Sequence, residues 1–395
     1  MLIIRGHKLS LQNALNKFFS ALGEVFATPT ASAYSHARRK LKPELFAHLN
    51  RVACEDFYHL YEADGMVRRW HGQRLLAGDG AYLHVPDTKE TRREFSLQVN
   101  QHEGGECVQA LAVVLYDLGN DLGLAAALGK RQAEKNLLFR PSVWEATREG
   151  DVIVLDRAYA DYTVFAYLLA EQRDAVVRLP HSRFRVAEPF WHSQKLEAVI
   201  RMGAPDSARQ FVEAHQLPPE IELRLIRVQL ETGEEEVLAT TLVDRQRYLR
   251  EEFQAVYGWR WGEESYFDRF KNIFEVERFS GSSRQAIHQD FQGALFLSSL
   301  ESILSKGAQA KLAGAASPEA QSRPQVNRAV SYVALLERVI ELLLTYREIG
   351  EVVAELHHLL EKSPSRERKG RKVDRPKLKY AHRLRYHKYV KKLTA

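Results

Sequence analysis

Within Tyr257-Gly-Trp-Arg260-Trp-Gly-Glu-Glu264-Ser-Tyr-Phe-Asp-Arg-Phe-Lys271, four side chains that can do chemistry recur at helical spacing. On a helix turning about 100° per residue, Tyr257, Arg260, Glu264 and Lys271 fall near 0°, 300°, 340° and 320°, inside one arc of about 60°. Phe267, Phe270 and Phe274 fall beside them, near about 280°, 220° and 260°, as the face that packs. One edge then carries a phenol, two cations and a carboxylate. A carboxylate for a hard divalent cation beside cations for phosphate is the chemistry this set suits. An ordinary charged surface helix would have a similar composition, and Gly258 and Gly262 weaken the first turn.

Such a site needs further carboxylates on rigid elements. Arg74–Asp87 reads as a strand with Asp79 between Gly78 and Gly80. Glycines within a strand often mark the close approach of a ligand; a Gly-Asp-Gly turn between two short strands is the other reading. Asp151-Val-Ile-Val-Leu-Asp156-Arg157-Ala-Tyr159 reads as an apolar strand ending in Asp, followed by a helix over Tyr162–Gln172. That places Asp156 at the carboxyl edge of a sheet, where active-site groups collect, although a strand-ending Asp is also an ordinary helix cap.

The spacing Y-x2-R-x3-E-x6-K resembles the signature of the IS4-type DDE transposases of bacterial insertion sequences. Asp-Gly followed by Pro-Asp-Thr (Leu75–Thr88) and Asp-Arg-x-Tyr (Asp156–Tyr159) resemble the two aspartate motifs of that family, in the same order. The likeness runs from about residue 30 to about 305. It implies an RNase H-like α/β core, a mixed sheet flanked by helices, with a β-rich insertion. Asp79, Asp156 and Glu264 would be the catalytic carboxylates holding Mg2+, with Mn2+ able to substitute. Tyr257, Arg260 and Lys271 would hold DNA phosphates. Asp87 is the second choice for the first carboxylate, and Ala81 departs from the small hydroxyl residue common after Asp-Gly. The implied function is metal-dependent cleavage and transfer of DNA strands at insertion-sequence ends, with double-stranded DNA as partner and a homodimer in the synaptic complex. An inactive DNA-binding repressor and a structure-specific nuclease on the same core are the alternatives.

The rest of the chain must position these groups. Its 395 residues, 45% hydrophobic and 27% charged, are those of a globular protein with several domains. No apolar run approaches ~18 residues, so no membrane partner is expected. Two cysteines, Cys54 and Cys107, form neither a disulfide framework nor a zinc cluster, and a reduced, cytoplasmic setting is expected. The net charge of +6 is uneven: from Lys362 onward 14 Lys/Arg face only Glu367 and Asp374, giving +12 and leaving −6 for the first 361 residues. Electrostatic attraction to nucleic acid is therefore a property of the tail, whose Tyr380, Tyr386 and Tyr389 could stack on bases.

Four regions are expected. Residues 1–72 are helical and DNA-binding: a stripe over Leu11–Leu22, then a helix over Ala33–Leu41 capped by Ser32 or Thr30. Its Arg38, Arg39 and Lys40 either compensate the helix dipole or contact DNA. Residues 73–305 form the catalytic domain, with strands at Val108–Asp117, Leu122–Leu128 and Asp174–Leu179, a partly helical Glu134–Glu149, and a closing helix at Ala286–Leu304. The insertion, at about 180–245, is read as antiparallel strands; its Trp191 either packs in the core or stacks on a flipped base. Arg157, beside Asp156, is a further candidate for DNA contact. Residues 306–361 comprise a linker at Ala308–Arg328 and helix at Ala329–Leu360, and 362–395 are the basic tail.

Overall fold

The computed structural model describes residues 3, 10–22, 27–99, 106–181, 184–229, 233–315, 323–344 and 347–366. The tail beyond Arg366, including Tyr380, Tyr386 and Tyr389, lies outside the described residues.

The apolar run Val108–Leu115 becomes a strand with neighbours on both edges, toward one end of a sheet that has nine strands among the described residues. Strands β1 (Leu75–Val85), β2 (Ser96–Val99), β3 (Glu106–Asp117) and β4 (Leu122–Gly129) make its antiparallel part: β1 lies along one edge of β3, β2 and β4 along the other. β5 (Val152–Leu155) then runs parallel to β1, and β6 (Asp174–Arg178) parallel to β5. Parallel neighbours need covered faces. β3 shows both: Leu111, Val113 and Leu115 enter one core with the Tyr162–Ala170 helix, while Ala110, Ala112, Val114 and Tyr116 enter another with Phe267, Phe270 and Phe274. The two-residue period of a strand and the Phe-rich helix face meet as the sequence implied. Phe270 is fully buried, worth about 2–3 kcal/mol of transfer energy.

The insertion is not a separate layer. β7 (Glu197–Gly203), β8 (Glu220–Gln229) and β9 (Glu235–Thr240) continue the same sheet, β9 pairing antiparallel with β6. Between them lie helices at Glu188–Trp191 and Asp206–Ala214.

Three expectations change. The closing helix runs from Arg284 to Gly314, seven residues into the expected linker, because Ala308 and Leu312 are buried against Leu356 and Leu360 of the Ile349–Lys362 helix. Gly307 permits that approach, since a Cβ there would stand 2.6 Å from the His357 ring. Ala329–Leu360 is two helices, Arg328–Leu344 and Ile349–Lys362, not one. The N-terminal helices are also built into the body. Asn50, on the Glu44–Glu62 helix, donates from Nδ2 to the carbonyls of Gly123 and Leu124, and Leu15 and Phe18 pack on Val339 and Ile340. Thr30, one of the two expected caps, accepts from the Ala33 N–H, and its helix spans Ala31–Arg38. Among the described residues no helix is long and apolar enough to cross a membrane, and both cysteines are buried free thiols.

Candidate active site

Register brings the two aspartates together. The last parallel pair between β1 and β5 is Ala77↔Val154. Asp79, within β1, and Asp156, just past the end of β5, each stand two residues beyond it, where the two strands leave a spacing of about 4.8 Å. Side chains alternate, so both aspartates belong to the face on which Ala77 and Val154 lie. Asp156 also serves as a cap, its Oδ1 accepting the Ala158 N–H at 2.7 Å. Among the described residues, the cap role leaves its Oδ2 without a bond to that turn.

The segment expected as one helix is two, Glu252–Trp259 and Trp261–Asn272. They meet at Arg260, where bonds from Arg260 N–H to Tyr257 C=O and from Glu263 N–H to Arg260 C=O tighten the turn. The buried Arg260 guanidinium is 3.0 Å from Glu264 and 3.8 Å from Asp79. It links the first and third carboxylates. Its guanidinium also lies 5.5 Å from the centre of the Tyr257 ring. Tyr257 itself differs from expectation: its hydroxyl is buried, so the phenol supports Arg260 and has no open path to a phosphate. Lys271 sits in the last turn of its helix, half-exposed, about two turns beyond Glu264.

Two further carboxyls line the site that sequence reasoning did not single out. Glu263 is fully buried, and its Oε1 accepts the Asp79 N–H at 3.0 Å. On the helical wheel it falls near 240°, in the middle of the Phe face, about 20° from Phe270. An acid inside a packing face was the available signal. Glu134 lies against Gly80, where an added Cβ would come within 2.7 Å of its carboxyl; Gly78 makes the same room for Leu138. The glycines flanking Asp79 therefore admit protein side chains, a correction to the expectation of open space for a ligand.

Burial pushes the Asp79 carboxyl up to about 6, and the charges of Asp156 and Glu264 add to this against the Gly80 N–H and Arg260. Burial likewise pushes Glu134 up to about 7, with Asp79 and Asp156 contributing. Acids crowded in one another's field are what a bound cation would relieve. The donor set, all carboxylate oxygen, fits Mg2+ or Mn2+. The carboxylates are not drawn into a coordination shell: among the described residues no three metal-binding side chains converge, and Glu264 is turned toward Arg260. Asp87 is exposed and held bidentate by Arg92, within the turn that starts the Lys89–Glu94 helix.

The other candidates for DNA contact separate cleanly. Arg38 donates to Gln289, Ser280, the Ala286 carbonyl and Asp290, with both ionic partners 10% exposed. Arg38 is spent on the fold, whereas Arg39 and Lys40 are exposed. Arg38→Ala is expected to cost about 3 kcal/mol in urea unfolding by leaving Asp290 buried without its cation, against within about 0.5 kcal/mol for Arg39→Ala. Arg157 is exposed on the turn after Asp156 and, with Arg178 and His181, lines a cavity of about 520 Å³. Trp191 is half-buried against the first core with one face stacked on His181, 3.7 Å between centroids. A larger groove of about 1140 Å³ opens next to Lys135 and Asp161, lined also by Arg185, Arg201, Tyr167 and Phe211.

The profile of the family described as transposase DDE domain matches residues 68–300, more than half of the chain and all of β1 to the Trp261–Asn272 helix. Transposase InsG for insertion sequence element IS4, of Escherichia coli (strain K12), is 24% identical over 236 residues, which cover 57% of this chain and 51% of that protein. The chain thus spans about half the length of that relative. A solved structure, the piggyBac transposase synaptic complex with hairpin DNA, superposes with a TM-score of 0.41 and 9% identity over 97% of this chain and 77% of that one. The chain belongs to the transposase DDE domain family and is of the IS4 type.

Proposed function

We propose that the protein cleaves and transfers DNA strands at the ends of an insertion sequence, in a metal-dependent cut-and-paste reaction on an RNase H-like core. The observation that carries this reading is the placement of Asp79 and Asp156 at equivalent positions past the Ala77↔Val154 pair, with Arg260 bridging Asp79 and Glu264. Within the sheet, β4, β3 and β1 run antiparallel and β5 and β6 follow parallel to β1, an order that supports the RNase H-like reading.

Asp79, Asp156 and Glu264 would hold the divalent cations. Two bound Mg2+ ions would supply an activated water or 3′-hydroxyl on one side of the phosphate and charge neutralisation of the leaving oxygen on the other. For Glu264 to serve, its carboxylate must leave Arg260, which frees that guanidinium for a phosphate oxygen in a bidentate contact. Arg260 is thus a counter-ion before DNA binds and a phosphate clamp afterwards. Lys271 and Arg157 would add charge along the strand. Tyr257 fixes the Arg260 plane from beneath.

The DNA partner would be held by the basic tail without sequence readout, as well as by these groups. Cleavage at two ends in one complex calls for a homodimer, in a cytoplasmic, nucleoid-associated setting.

The test is cleavage of a labelled duplex carrying the element's end, with Mg2+ or Mn2+, by wild type and Glu264→Ala. Wild type should cut at the end junction. Glu264→Ala should lower the rate at least about 10³-fold, the loss expected when a charge-stabilising ligand is removed, and bind the duplex as before. Wild type that binds but does not cut with either metal would instead make the protein a DNA-binding repressor.

A further inference from the structure

We infer that Glu263 is a positioning residue for the metal site: by accepting the Asp79 N–H where β1 and β5 part, it sets where the first carboxylate stands relative to the other two. This rests on the metal-dependent reading above and deepens it.

The fork fixes one end of Asp79 and Glu263 the other. β1 continues to pair with β3 through Asp79↔Val114, but its pairing with β5 ends at Ala77↔Val154. Were β5 to continue in register, its backbone would meet the N–H of Gly80, because even-numbered residues of β1 face β5 and Asp79 faces β3. It ends instead at Leu155, so that Asp156 can turn away. The N–H released at the fork is that of Gly80, which donates instead to Asp79 Oδ1 at 2.8 Å. The Asp79 N–H lies on the β3 side of the strand, and Glu263 Oε1 accepts from it at 3.0 Å, a hold on the backbone from the helix above the sheet that is independent of the fork.

The choice of residue is informative because it is poor for stability. Glu263 is fully buried on a helix face otherwise made by Phe267, Phe270 and Phe274. Its second oxygen is buried without a hydrogen-bond partner. A Met or Leu there would pack on the same face without an orphan oxygen. What neither could do is hold the Asp79 backbone. Glu263 also precedes Glu264 directly, so one hydrogen bond ties the strand of the first carboxylate to the helix of the third. With Asp79 Oδ1 accepting from Gly80 N–H at 2.8 Å, both ends of the Asp79 residue are fixed before any cation arrives.

The experiment compares Glu263→Met, which removes the acceptor, with Glu263→Gln, which keeps an oxygen of the same reach. Mn2+ affinity is measured by water proton relaxation without DNA, thermal unfolding without metal, and cleavage with both. For Glu263→Met the Mn2+ dissociation constant should rise about 10- to 100-fold, the range for lost supporting contacts. Its kcat should fall about 100-fold through misplacement, while the metal-free melting temperature stays equal or rises. Glu263→Gln should keep Mn2+ affinity and rate within about threefold of wild type, its oxygen replacing the lost acceptor. Wild-type Mn2+ affinity in Glu263→Met would overturn the inference, as would equal damage in Glu263→Gln, which would make charge and not the acceptor the essential property. Wild type that neither binds Mn2+ nor cleaves would overturn the metal-dependent reading itself.

Discussion

Asp79→Asn is expected to abolish cleavage and, without metal, to make the protein more stable. The two effects have one cause. The folded protein raises the Asp79 carboxyl from an ordinary 3.8 to about 6, first through burial and then through the fields of Asp156 and Glu264. A group raised on folding stabilises the native state below its unfolded pKa, and that contribution disappears as pH rises through the folded one. Above about pH 6 wild type therefore carries a strained carboxylate that asparagine does not. The gain for Asp79→Asn at pH 8 should lie between about 1 and 3 kcal/mol, and should vanish near pH 4. Mn2+ should raise the melting temperature of wild type, by binding the native state alone, and leave the variant unmoved. Cleavage should fall at least about 10³-fold, as expected for loss of a metal-holding carboxylate. Chemical denaturation across pH 4–8, with and without Mn2+, measures the first two. A variant less stable than wild type at pH 8 would refute the strained-carboxylate account.

Asp121→Asn is expected to act in the opposite sense, with a loss of about 3–5 kcal/mol at pH 7. Asp121 follows β3 and accepts from Arg269, Arg328 and Tyr116. Arg269 belongs to the helix that carries Glu264, and Arg328 opens the Arg328–Leu344 helix, where it also pairs with Glu301 at 2.8 Å. One carboxylate thus fastens the Glu264 helix and the C-terminal helices to the sheet. Burial would push the Asp121 carboxyl up, but Arg269 and Arg328 more than offset this and hold it below the ordinary carboxylate range. Here the folded pKa is depressed, so the stability is present above the unfolded value near 3.8 and is lost as pH falls below it. Asparagine keeps the residue's tolerance of its positive φ of 62° while leaving the half-buried Arg269 without its anion and Arg328 with Glu301 alone. The difference between variant and wild type in urea unfolding should shrink from pH 7 toward pH 3. A variant within about 0.5 kcal/mol of wild type at pH 7 would mean the network is dispensable.

Much of the site's composition was legible in the residues alone. The Phe267–Phe270–Phe274 face, the strand ending at Asp156, the strand through Asp79 and the uneven charge are local properties. They follow from side-chain periodicity and from what each residue type can bury. The family motifs added the choice of Asp79, Asp156 and Glu264 as a set.

Other features depended on partners distant in sequence. That Asp79 and Asp156 stand at the same level depends on the β1–β5 register, which two apolar strands do not announce. Arg38 looked like a helix-end cation open to DNA, and only Asp290, 252 residues away, determines that it is buried. The glycines beside Asp79 looked like room for a ligand until Leu138 and Glu134 filled it. Glu263 and Glu264 are adjacent and chemically identical. Burial against the sheet makes one the support of Asp79, and exposure at the helix edge leaves the other to Arg260. The sequence determined which groups were available and the faces on which they lie, because periodicity is a local property. Tertiary packing decided which carboxyl faces which backbone, because desolvation and hydrogen bonding act between atoms brought together only by the fold.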